Sequence, residues 1–83
     1  MPLFLDVHEH VEGLTPEAVA EAHRLDLATQ QQYGVHYLRY WYDTESGKVF
    51  CLVEAPDKAS AARVHQEAHG LVADHIYEVR EGS

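Results

Sequence analysis

Alternation opens the chain. Leu3, Leu5 and Val7 interleave with Phe4, Asp6 and His8, the period-two pattern of a half-buried strand. Glu12-Gly13-Leu14 then turns the chain, and Thr15-Pro16-Glu17 supplies a helix N-cap, a proline suited to the first helical position and an acid beside the positive helix end. These signals predict a helix from Pro16 to about Gln32, carried by repeated alanines with Val19, Leu25 and Leu27 and stopped by Gly34. The run Val35 to Tyr42, VHYLRYWY, is too aromatic to prefer a helix. After the turn cluster Asp43 to Gly47, a second apolar run extends from Val49 to Ala55, so the pair reads as a hairpin. Pro56-Asp57 opens a second helix, through Ala59 to about His69 and closed by Gly70; His75 to Val79 reads as a last strand, and Glu81-Gly82-Ser83 as a frayed tail.

Strand, helix, strand, strand, helix, strand is the order of an α+β, ferredoxin-like βαββαβ domain. Right-handed crossovers place both helices on one face of a four-stranded antiparallel sheet. No linker, repeat or low-complexity tract divides residues 1–83, which are expected to form one domain with a modest core. If Leu3, Leu5 and Val7 face the helices, Asp6 and His8 face the open side of the sheet. Tyr37, Tyr40, Trp41 and Tyr42 put aromatics on both faces of the second strand, and burial of the open face against a second copy predicts a homodimer.

Charge then narrows the partners. Fourteen Asp and Glu against six Lys and Arg give a net charge of −8, which repels a phosphate backbone and suits attraction of cations, so no nucleic acid is expected. No apolar run approaches the roughly 18 residues needed to span a bilayer. The N-terminus lacks a basic, then apolar, leader, and the lone Cys51 makes no disulfide within the chain; both point to a cytoplasmic protein. Cys51 sits inside an apolar run and reads as a small buried hydrophobe.

Seven histidines change the picture most, because imidazole is the commonest metal ligand and offers a free lone pair at neutral pH. His65 and His69 lie four apart on a helix and can grip one ion. Glu67 between them points elsewhere, so the HExxH arrangement of a zinc peptidase is absent. Asp6, His8 and, if the strand continues, His10 share a strand face and form a second candidate set, and the topology gathers His8, His10, His69 and His75 at one pole. His36 begins the second strand at the opposite pole, where only an interface could bring it to the others. His23 and His75 read as ordinary surface histidines, and the spacing of His23 and Asp26 suits a surface pair on the helix.

The stretches GVHYLRYWYD, GKVFCLVEAP and VHQEAHGLVAD, with PLFLDVHEH at the start and YEVREG near the end, resemble a family of small bacterial proteins, some of which bind nickel. The resemblance implies a dimeric ferredoxin-like fold, a cytoplasmic location and nickel held by His and carboxylate groups near a subunit interface. Imidazole by itself suits Ni, Cu and Zn alike. The resulting expectation is a protein that sequesters or buffers nickel through Asp6, His8, His10, His36, His65 and His69, with no catalytic residue assigned. The alternative is a small dimeric enzyme of oxygenase type, with a pocket lined by His36, Tyr37, Tyr40 and Trp41.

Overall fold

A computed structural model describes residues 1–83. Thr15 stands in extended conformation and its Oγ1 accepts a hydrogen bond from Ala18 N (3.1 Å), which starts helix α1 at Pro16–Thr29. The last turn tightens into a 3-10 segment, Gln30–Tyr33, and Gly34 ends it at φ +64, a left-handed conformation that favours glycine. Helix α2, Lys58–Ala68, begins the same way, with Asp57 Oδ1 accepting from Ser60 N (2.8 Å). The strands are β1 (Leu3–His8), β2 (His36–Asp43), β3 (Lys48–Glu54) and β4 (His75–Val79). They form one antiparallel sheet in the order β2-β3-β1-β4, and the βαββαβ ferredoxin-like architecture is as expected.

The faces of β1 are the reverse of the expectation. Phe4, Asp6 and His8 point toward the helices and are buried, while Leu3 and Leu5 are half-buried on the open face. Val7, though buried, lies outside the main core cluster, paired across the open face with Phe50 and His75. The placement of Leu3, Leu5 and Val7 against the helices fails because Phe4 takes the core position and Asp6 has partners inside.

A bulge between Tyr37 and Arg39 shifts the parity of β2. Tyr37 pairs with Val53 and Tyr40 with Cys51, so both tyrosines face the helices although they are three residues apart, and Trp41 falls on the open face opposite Phe50. The aromatic pocket imagined for an enzyme is therefore not assembled: His36 and Trp41 lie on one side of the sheet, Tyr37 and Tyr40 on the other.

The core, centred on Phe4, Val19, Val35, Tyr37, Val53, Ala61 and Val64, fills the space between sheet and helices. At the pole where β1 ends, the following loop is pinned to the hairpin: Val11 N donates to Gly47 O (2.9 Å), and Asp74 N donates to Val7 O (2.9 Å). Gly47 is at φ +82, and a Cβ there would lie 2.6 Å from His10 Nδ1. The positive φ favours glycine there, and a Cβ would also sit tightly against Val11 N at 3.3 Å.

Phe4→Ala is expected to lower unfolding free energy by about 3–5 kcal/mol, the usual cost of emptying a buried aromatic site, as read by urea titration. Were β1 turned the other way, Phe4 would lie on the open face and the loss would be far smaller.

Candidate metal centre

Three elements converge on one imidazole. His65 comes from the inward face of α2, Asp6 from the inward face of β1, and Asp26 from α1, seven residues and so two turns beyond the buried Val19. His65 Nδ1 donates to Asp26 Oδ1 (2.9 Å) in good alignment. On the other side His65 Nε2 lies 2.9 Å from Asp6 Oδ2, close enough for an ion pair but out of line for a hydrogen bond. Tyr37 hydroxyl shares its proton between the Ala61 carbonyl (2.9 Å) and Asp6 Oδ2 (3.2 Å). His8 Nε2 lies 3.5 Å from Asp6 Oδ1.

Electrostatics follows from this arrangement. Burial alone pushes the Asp6 carboxyl up, but contacts with His65 and His8 outweigh it and hold the group at about 2. Burial likewise raises Asp26, and His65 and His69 more than reverse that, so it too titrates below the usual carboxylate range. For His65, burial opposes the charged form, yet Asp26 and Asp6 raise its pKa to about 11. Without a bound cation the site therefore holds an imidazolium between two carboxylates. Burial raises the Cys51 thiol to about 11, and burial and then Asp6 raise the Tyr37 hydroxyl.

Two sets of donors arise here. Asp6, His8, Cys51 and His65 place one ligand-type atom each within 4.8 Å of one another, and Asp26, His65 and His69 do the same. They differ in readiness. In the first set, Asp6 Oδ1 and His65 Nε2 are buried with no aligned partner, while His65 Nδ1 is oriented by Asp26. A carboxylate behind one ring nitrogen, with the other nitrogen unpaired, is the usual arrangement of a metal-ligating histidine. In the second set, His69 Nε2 is likewise buried without an aligned partner, 3.0 Å from Asp26 Oδ1, but His69 Nδ1 accepts from Leu71 N (3.1 Å), which leaves the ring proton on Nε2. Ligation through that nitrogen would require the other tautomer and deprive the Leu71 amide of its acceptor. The first set is thus the better built, and its unpartnered buried atoms fit a cation.

The structure brings together four of the six residues expected as ligands: Asp6, His8, His65 and His69. His10 lies outside, its side chain 64% exposed, with Nδ1 3.2 Å from Ser46 O and Nε2 3.4 Å from Glu12 Oε1. His36, exposed on the open face, pairs with Glu54 at the end of β3 remote from His8, which pairs with Val49. Asp26 and Cys51, a surface residue and a plain hydrophobe by sequence pattern, both line the buried centre. Asp26 was findable, since its spacing from Val19 sets it on the inward stripe of α1. His23 is half-buried and faces Tyr40, their ring centroids 4.7 Å apart, and its burial lowers its pKa.

The model of the family described as nickel responsive protein, SCO4226-like, matches residues 4–79, and the chain belongs to this family. Its structure is similar to the crystal structure of SCO4226 from Streptomyces coelicolor A3(2), with a TM-score of 0.90 and 38% identity over 98% of this chain and 99% of that one. No functionally curated protein matches the chain. No helix is long and apolar enough to cross a membrane.

The pH dependence of the metal-free fold follows with a definite sign. Asp6, held at about 2 against an ordinary 3.8, contributes stability that is complete above 3.8 and lost as pH falls through about 2. His65, raised to about 11 from 6.5, contributes stability that is complete below 6.5 and lost as pH rises through about 11; the Cys51 thiol acts in the same direction above 9. Burial of His23 works oppositely and more weakly, favouring the fold above 6.5. The urea midpoint of chelator-treated protein is expected to be highest between pH 3.8 and 6.5 and to decline toward alkaline pH. His65→Gln should abolish most of that alkaline decline.

Proposed function

We propose that the protein binds nickel at the buried centre and serves to sequester or buffer it, with Asp6, His8 and His65 as ligands, Cys51 as a further donor, and Asp26 orienting His65. The observation that carries this reading is that Asp6 Oδ1 and His65 Nε2 are buried without an aligned hydrogen-bond partner, in a cluster where Asp6, His8, Cys51 and His65 each offer a ligand-type atom within 4.8 Å of the others. An oxygen, two imidazoles and a sulfur suit late first-row divalent ions, and the family description favours nickel among them. The net charge of −8 adds long-range attraction for a cation. A ligand set that is buried fits retention of an ion more than turnover.

Calorimetric titration of tag-free protein with nickel is expected to show saturable binding that His65→Ala and Asp6→Asn each weaken by about tenfold or more, in line with loss of a ligand or its support. His10→Ala and His36→Ala should leave it unchanged. Cys51→Ser should remove the sulfur-to-metal charge-transfer absorption of the loaded protein. Binding undiminished in His65→Ala would displace this centre as the nickel site.

The same reading includes a homodimer through the open sheet face. Leu5, Phe50 and Leu52 are half-buried there, and Trp41 and Tyr77 are 49% and 52% exposed, an apolar surface that a second copy would cover. Sedimentation is expected to give a dimer for the native chain and a monomer for Trp41→Lys, with nickel binding retained in both.

A further inference from the structure

A pocket of about 140 Å³ opens beside the buried centre, between the loop after β1, helix α1 and the end of α2. His8, Cys51, Asp26, His65 and His69 of the buried centre are among its lining residues, but Val11, Leu14, Val19, Val49, Tyr40 and Leu71 make most of the lining apolar. This division matters. A pocket for hydrated ions would be polar throughout, whereas here a mainly apolar lining also holds His8, Cys51 and His65, as in sites for small organic molecules. The volume sets the size, since an apolar protein cavity of roughly 150 Å³ accepts one benzene ring. Charge sets the sign: two buried carboxylates, Glu12 among the lining residues and an overall charge of −8 disfavour an anion. Planar side chains are already present, because His23 and Tyr40 both line the space with ring centroids 4.7 Å apart.

We propose that this pocket binds a single-ring, uncharged nitrogen heteroaromatic compound, ring against the apolar wall and nitrogen toward His8, His65 and Cys51, where it supplies a further donor to the ion held there. The inference rests on the nickel reading above. It adds that the site takes its metal together with a small organic ligand.

The probe is pyridine, added to nickel-loaded protein and followed by the nickel d–d absorption and by calorimetry, with ultrafiltration to verify that nickel stays bound. The expected result is a saturable spectral change with pyridine, none with benzene, which lacks a donor, and none with acetate, which is charged. Ala18 is an exposed lining residue on α1, and Leu14 a half-buried one in the loop before it. Ala18→Phe and Leu14→Phe should each weaken pyridine by about tenfold or more by filling the space, and leave nickel affinity within about twofold. Two variants are used so that one folding failure leaves the test intact. Nickel binding without a pyridine response, or a response equal in both filled variants, overturns this inference alone. Absence of nickel binding overturns the nickel reading and this inference together.

Discussion

The arrangement on which the rest depends is the burial of His65 between Asp6 and Asp26. Each of the three comes from a different element, so their meeting fixes how β1, α1 and α2 sit against one another. Taking ions out of water costs several kcal/mol apiece unless geometry returns the loss, and removing one member strands the others. The apolar core around them is small, built largely from valines and alanines. Some of the interior that could have been filled by leucine is given to charge, which suggests that the arrangement is kept for chemistry.

Its chemistry can be read from where protons sit. The metal-free centre satisfies two carboxylates with one imidazolium, which acts as the protein's own internal cation. The satisfaction is incomplete: Nδ1 is aligned on Asp26, Nε2 is close to Asp6 but misdirected, and Asp6 Oδ1 has no aligned partner. A centre optimised for stability would close that contact. One left open toward His8 and Cys51 is suited to exchange the Nε2 proton for a metal ion, with Asp26 continuing to hold the ring.

Much of the fold was legible because its signals are local. Thr15-Pro16, Gly34, Asp57 and Gly70 mark helix ends by their own backbone chemistry, and the element order follows. The faces of β1 were not, because Leu3, Leu5 and Val7 compete with Phe4, and the usual preference of acids for water decides wrongly when partners wait inside. The bulge after Tyr37 was also hidden, since nothing in VHYLRYWY marks where the ladder slips. The site was half legible. The spacing of His65 and His69 does put them together, but the amide of Leu71 occupies His69 Nδ1, a contact created by the turn at Gly70.

The reversal of β1 also separates two things that the sequence suggested were joined. Asp6, His8, Cys51 and His65 all lie between sheet and helices of one chain, whereas the histidines on the open face are His36 and His75. A second copy covering the open face would meet Leu5, Trp41 and Tyr77 and would add no ligand to the buried centre. Association through that face and ion binding at this centre would therefore be physically independent, linked only through the backbone of β1 and β3, whose alternate residues serve the two faces. A chain this small can in this way carry an apolar surface and a charged interior a single strand's thickness apart, because the pleat sends consecutive side chains to opposite sides.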